Sequence, residues 1–231
     1  MAQQADIMVV AAHPDDPEFG VGGTVARLVQ QGKSVVYVVC TSGEKGTSDR
    51  TMKPEVLAKI REQEETAAAK VLGVREVVFL RHLDQTLEDT PEFRKEIVRV
   101  IRMFRPEIVL TTNPYRRYLW HRDHRIAAQV TLDAVYPFAR DYLAYPDLLE
   151  QGFEPHKVQE VWLWGAEDDI NFRSDITETW DIKLAALRCH KSQVGQNFAQ
   201  MEARLRQRAE NMAQGTDFKL AEAFHRAESM W

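Results

Sequence analysis

The residues able to do chemistry gather in two short stretches far apart in the chain. The first is Ala12-His13-Pro14-Asp15-Asp16-Pro17-Glu18 and the second is His121-Arg122-Asp123-His124. His13 and Asp16 stand three positions apart with Pro14 stiffening the turn between them, a spacing that lets an imidazole and a carboxylate aim at one point. His121 and His124 are also three apart, where a helix is expected to begin, so both rings face one side. Asp15 and Asp16 alone would suit the turn and N-cap of a following helix equally well. Two histidines and one carboxylate, however, make a zinc site with an open position for water, the catalytic rather than the structural arrangement. The same donors suit iron(II).

The elements that must position these residues follow from the hydrophobic pattern. Ile7 to Ala12 is an apolar run that reads as a strand buried on both faces and stops abruptly at His13. A helix is predicted from Gly22-Gly23-Thr24 to Gln31, then a β-branched strand from Ser34 to Cys40, a helix from Pro54 to Leu72 and a short strand from Glu76 to Leu80. Pro91 to Phe104 carries Phe93, Ile97, Val100, Ile101 and Phe104 at helical spacing, and Glu107 to Thr112 reads as a fourth strand. Beyond it lies a helix from about Ile126 to Val135, a Pro-, Tyr- and Asp-rich stretch from Pro137 to Lys157, a strand from Val158 to Trp164, and helices over Thr177–Ser192 and Gln196–Met212. Strands alternating with helices predict an α/β fold: a Rossmann-like, doubly wound, mainly parallel sheet with helices on both faces. In such sheets ligands bind at the carboxyl ends of the strands, where both His-containing loops leave the sheet, and the 137–157 stretch is expected to pass over the same rim.

Length and composition set the limits. With 231 residues the chain predicts a single domain over residues 1–231. Thirty Lys and Arg against 35 Asp and Glu leave a formal charge of −5, so no nucleic acid partner is expected. No apolar run reaches membrane-spanning length and the first residues lack a signal-peptide pattern, which predicts a cytoplasmic protein without a membrane partner. Cys40 and Cys189 stand far apart, so neither a disulfide framework nor a thiolate metal site is expected.

The sequence resembles the LmbE-like, N-acetylglucosaminyl-phosphatidylinositol deacetylase family of zinc-dependent N-deacetylases. The resemblance rests on the two stretches above, on Gly22-Gly23, Thr41-Ser42-Gly43-Glu44-Lys45-Gly46 and Arg61-Glu62, and more weakly on Asp175-Ile176-Thr177 and His190-Lys191-Ser192-Gln193. It implies that His13, Asp16 and His124 are the zinc ligands and Asp15 the general base. His121 would stabilise the oxyanion or protonate the departing amine, with Asp123 as the acceptor that orients it. Glu44 and Arg61 would lie near the substrate, an N-acetylated amino sugar or its conjugate, and relatives often form homo-oligomers. Arg116, Arg117, Arg122 and Arg125 fall within ten residues around His121, an excess of positive charge that would suit an acidic aglycone. Two other readings compete: a metal-dependent amidase on a non-sugar substrate, and a non-catalytic nucleotide- or sugar-binding protein using Gly20-x-Gly22-Gly23 as a phosphate loop.

Overall fold

The computed structural model describes residues 4–118, 120–165, 168–195 and 197–228. In chain order the strands are β1 (Ile7–Ala11), β2 (Val35–Thr41), β3 (Glu76–His82), β4 (Ile108–Thr112), β5 (Glu160–Trp164), β6 (Phe172–Asp175) and β7 (Ala221–Glu228). The helices are α1 (Asp16–Gln30), α2 (Pro54–Leu72), α3 (Pro91–Phe104), α4 (Arg122–Asp133), α5 (Pro146–Glu150), α6 (Trp180–Leu187), α7 (Lys191–Val194) and α8 (Phe198–Ala213). One seven-stranded sheet runs in the order β3-β2-β1-β4-β5-β7-β6. Its first five strands are parallel, while β7 is antiparallel to β5 and β6 antiparallel to β7. The α/β, Rossmann-like architecture expected from the sequence is the one observed.

Strand order places the chemistry. From β1 the chain builds outward through β2 to β3, then returns to lay β4 on the other side of β1, so β1 and β4 are neighbours with Ile7 opposite Ile108. The loops after β1 and β4 therefore diverge at the switch point of the sheet, where such folds have their crevice. The core fixes this geometry from both faces. Ile7, Val9, Val35 and Tyr37 pack beneath α1, α2 and α6 with Val21, Val25 and Leu72, whereas Met8, Val10, Val36 and Cys40 pack beneath α3 and α4 with Ile97, Ile101 and Ala127. Each fully buried aliphatic side chain contributes about 1.5–3 kcal/mol, so β1 is anchored along its whole length and His13 leaves a rigid edge.

Several elements depart from the sequence reading. Helix α1 begins at Asp16, six residues before the expected Gly22, with Pro17 in its first turn. Gly20 and Gly23 thus lie inside a helix and are contact sites: a Cβ at Gly20 would stand 2.7 Å from Trp164 Nε1, and one at Gly23 2.7 Å from Ile176 Cγ2. These glycines admit neighbouring side chains and form no phosphate loop. Helix α4 also starts early, at Arg122, with His121 at its cap position. On α2 the buried stripe is Leu57, Arg61, Glu65, Ala68, Ala69 and Leu72, so it carries two charged residues inward.

The 137–157 stretch does not cross the catalytic rim. The buried Arg102, in the last turn of α3, donates to the carbonyls of Phe138, Ala139, Asp141 and Ala144, and Pro106 accepts a bond from His156. Those partners lie where β4 begins, at the opposite edge of the sheet. The reason is topological: β5 runs parallel to β4, so the connection must come down to the amino edge before β5 starts. In the last part of the chain the expected helix over 177–192 is broken into α6 and α7 at His190, and the predicted start of the next helix, Gln196, lies outside the described residues. Strands β6 and β7 are additions. The run Ala221–Glu228 is rich in Ala and Glu, which favour helix, and its pairing with β5 overrides that preference. No described helix is long and apolar enough to cross a membrane.

Candidate active site

The carboxyl end of β1 delivers His13, buried, to the crevice. Its backbone N–H donates to Asp16 Oδ2 at 2.9 Å, which folds the His-Pro-Asp-Asp turn back on itself. Across the crevice, the first turn of α4 brings His124 opposite. His13 Nδ1 stands 3.1 Å from His124 Nε2 and 3.4 Å from Asp16 Oδ2, and His124 Nε2 stands 3.3 Å from Asp16 Oδ1. Ligands bound at about 2.0–2.1 Å in a tetrahedron sit about 3.3 Å from one another, so these three side chains match the donor spacing and donor chemistry of a small divalent cation. His121 completes the group: its ring stacks on His124 with centroids 4.8 Å apart and meets His13 edge-on at 4.6 Å. His13, His121 and His124 also bring their ligand atoms within 4.8 Å of one another.

Two further carboxylates stand behind His13. Asp84, in the loop after β3, places Oδ1 3.1 Å from His13 Nε2, and Asp123 places Oδ2 3.4 Å from the same nitrogen. Asp123 is fully buried and accepts the N–H groups of Gln85 and Leu87 at 2.6 and 3.2 Å. The expectation that Asp123 orients His121 is therefore corrected. From the second position of α4 its carboxylate reaches the β3 loop and His13, the partners it bonds. Carboxylates behind a metal-binding imidazole fix its orientation and raise its basicity.

Asp15 forms the other wall. Its backbone is left-handed, φ 90°, and its carboxylate lies 3.3 Å from Arg61, which also donates to Pro14 O at 2.5 Å and to Gly43 O at 2.8 Å. Arg61 is only 4% exposed, so its guanidinium is committed to the loops after β1 and β2. Glu44 accepts the N–H of Asp84 at 2.8 Å, and the Lys45 N–H donates to Asp84 Oδ2 at 3.1 Å. Both residues expected near the substrate thus hold the loops that carry Asp15 and Asp84.

The electrostatics follow from this crowding. Burial alone would lower the pKa of His13, but hydrogen bonds to Asp123, Asp16 and Asp84 overcome it and raise the pKa to about 11. Burial would likewise raise Asp16, yet the charge of His124 and hydrogen bonds from both histidines hold it well below the usual carboxylate range. Asp84 is brought down to about 2 by its bonds to His13 in spite of burial. Burial and the Asp16 charge push Asp15 up to about 6 against the pull of Arg61. Burial and the neighbouring His13 and His124 lower His121. A cation entering between His13, Asp16 and His124 competes with protons for the same atoms.

A cavity of about 190 Å³ opens beside Asp16 and His124, walled by Phe19, Trp164, Trp180 and Arg208. A wider groove of about 600 Å³, with Tyr115, Arg117 and Tyr136, shares Arg116 with it. Of the four clustered arginines, Arg116 borders both cavities and Arg117 the wider one, while Arg122 donates to Leu87 O and Arg125 to Trp120 O. The sequence reading missed Asp84, Glu65 and the partner of His190. Asp84 follows β3 as His13 follows β1, and the same strand-end rule points to it. Arg61 and Glu65 fall in phase with Leu57 and Leu72, and charge on a buried helical stripe is itself a signal.

Histidines and carboxylates converging at the switch point of a mainly parallel sheet define an α/β protein with a reaction centre built on a His/Asp donor set. Residues 8–135 match PIG-L, the GlcNAc-PI de-N-acetylase family, and the chain belongs to that family. It is 38% identical over 187 residues to the diacetylchitobiose deacetylase of Thermococcus kodakarensis, covering 81% of this chain and 69% of that protein. It is 27% identical to a probable N-acetyl-alpha-D-glucosaminyl L-malate deacetylase 2 of Bacillus anthracis, covering 84% of this chain and 83% of the relative. Among solved structures, the N,N'-diacetylchitobiose deacetylase of Pyrococcus horikoshii in complex with its inhibitor MPG superposes with a TM-score of 0.92 at 30% identity, covering 97% of this chain and 84% of that one.

Proposed function

We propose that this chain hydrolyses the N-acetyl group of an N-acetylglucosamine-type sugar or conjugate, releasing acetate and a free amine. The observation that carries the reading is the triangle of His13, Asp16 and His124 donors with Asp15 one residue from a ligand. The names of the relatives, deacetylases of diacetylchitobiose and of a glucosaminyl malate, support the same substrate class. His13, Asp16 and His124 would hold the metal, zinc or iron(II) by donor chemistry, which when bound would lower the pKa of water and polarise the amide carbonyl. Asp15 accepts the proton of the attacking water as the new C–O bond forms, and burial sets its pKa close to the working range of a base. His121, whose pKa is lowered by burial and the neighbouring His13 and His124, donates its N–H to the oxyanion, and Asp15 passes the proton it took from water to the nitrogen as the C–N bond breaks. Asp84 and Asp123 orient His13, and Arg116 meets whatever acidic group the aglycone carries.

The test is metal content measured alongside turnover. The wild type is expected to hold about one zinc per chain, and His13→Ala, Asp16→Ala and His124→Ala each to lose most of it. Full retention in any one variant removes that residue from the ligand set.

A further inference from the structure

Asp15 sits in a left-handed turn, φ 90° and ψ −27°, a conformation that a residue with a side chain disfavours and that persists only where its surroundings enforce it. Two neighbours on α2 do so. Arg61 fastens the carbonyl of Pro14, and one turn further along the helix Glu65 Oε2 accepts the N–H of Asp15 itself at 2.9 Å. Glu65 does not stand alone: His190 Nε2 lies 3.8 Å from it and 3.0 Å from Glu18 Oε2, and all three side chains are completely buried. They come from α2, the turn between α6 and α7, and α1.

This cluster is a poor choice for stability. Glu18 Oε1, Glu65 Oε1 and His190 Nδ1 have no hydrogen-bond partner among the described residues, and apolar side chains of similar volume would fill the same space without stranding polar atoms. Among the described residues, its hydrogen bond to the 13–16 turn is the one that Glu65 Oε2 accepts from the Asp15 N–H. We infer that Glu65, braced by His190 and Glu18, is a positioning residue that holds the Asp15 backbone in its left-handed turn and so aims the Asp15 carboxylate at the reacting water. The Glu65 carboxylate touches no reacting atom; it acts through Asp15. The inference rests on the reading of Asp15 as the base.

The experiment compares Glu65→Leu, Glu65→Gln, Asp15→Asn and the double variant Glu65→Leu/Asp15→Asn in the metal-loaded protein, following kcat, KM and metal per chain on N,N'-diacetylchitobiose. Glu65→Leu is expected to lower kcat by about tenfold or more with KM and metal content unchanged, since a small misplacement of a reacting group costs up to about 10²-fold. Glu65→Gln should restore most of that loss, because its amide oxygen accepts the same N–H. In the Asp15→Asn background, Glu65→Leu should add less than about twofold, as residues acting as one unit are not additive. Wild-type kcat in Glu65→Leu overturns the inference, as does an equal loss in both backgrounds. Full turnover of Asp15→Asn overturns the base assignment instead, so the two failures are told apart. Should Glu65→Leu not fold, Glu65→Met, close in length and a far weaker acceptor, takes its place in every comparison.

Discussion

Removing the Glu222 carboxylate is expected to destabilise the protein by about 3–5 kcal/mol, because it strands a buried ammonium. Lys183 Nζ stands 2.6 Å from Glu222 Oε1 and donates also to Phe19 O at 3.0 Å, with both side chains almost wholly buried. Glu222 further accepts the N–H groups of Gly23 and Thr24 at 3.0 and 2.8 Å, so one carboxylate on β7 clamps α1 and α6 together. Glu222→Ala leaves the ammonium unpaired and removes both acceptors from α1. For a chain of this size about 1 kcal/mol moves Tm by about 2–4 °C, so the drop should be about 6–20 °C. Urea unfolding followed by tryptophan fluorescence gives the free energy directly. The double variant Lys183→Met/Glu222→Leu should cost less than Glu222→Ala alone, since it removes the stranded charge. A loss below about 1 kcal/mol in Glu222→Ala, or a double variant worse than the single, would refute the reasoning.

Asp15→Asn should keep its metal while kcat falls by about 10²-fold or more, and His121→Ala should lose about 10²–10³ in kcat with metal retained; loss of metal in either moves that residue into the ligand set. Arg102→Met should cost about 2–4 kcal/mol by leaving four carbonyls without their donor, yet leave kcat unchanged because those partners lie at the far edge of the sheet; a fall in kcat would place the 137–157 segment in the reaction. If Arg116 binds an acidic aglycone, an N-acetylglucosamine conjugate bearing a carboxylate should show a higher kcat/KM than the neutral sugar, with the advantage shrinking as salt rises and vanishing in Arg116→Ala. Equal values at every salt concentration would remove the acidic aglycone from the account.

Much of the fold was legible because the hydrophobic pattern and the turn residues agreed. The runs Ile7–Ala12, Ser34–Cys40 and Pro91–Phe104 are apolar in the period of the element they form, and tertiary packing only sharpened their ends. That the loops carrying His13 and His124 meet was legible for a related reason: each follows a readable strand, and parallel strands deliver their loops to one rim, whereas the choice of His13, Asp16 and His124 within those loops came with the family resemblance. What stayed hidden depends on contacts between remote segments. Strand β7 has helix-favouring residues and exists through its pairing with β5 and β6. Asp123 could not be assigned to His13 over His121 without the β3 loop whose N–H groups it accepts. Nor could Glu65 be joined to Asp15, since 50 positions separate them and the link is one side-chain oxygen to one backbone N–H.

The most direct measurement is free-amine release from N,N'-diacetylchitobiose by the zinc-reconstituted wild type set against Asp16→Ala prepared in the same way. The account predicts one equivalent of acetate for each amine released by the wild type, and a rate lower by at least about 10³-fold in Asp16→Ala, which lacks one side of the donor triangle. Wild-type rates in Asp16→Ala, or no amine from the wild type loaded with zinc or iron(II), would contradict it.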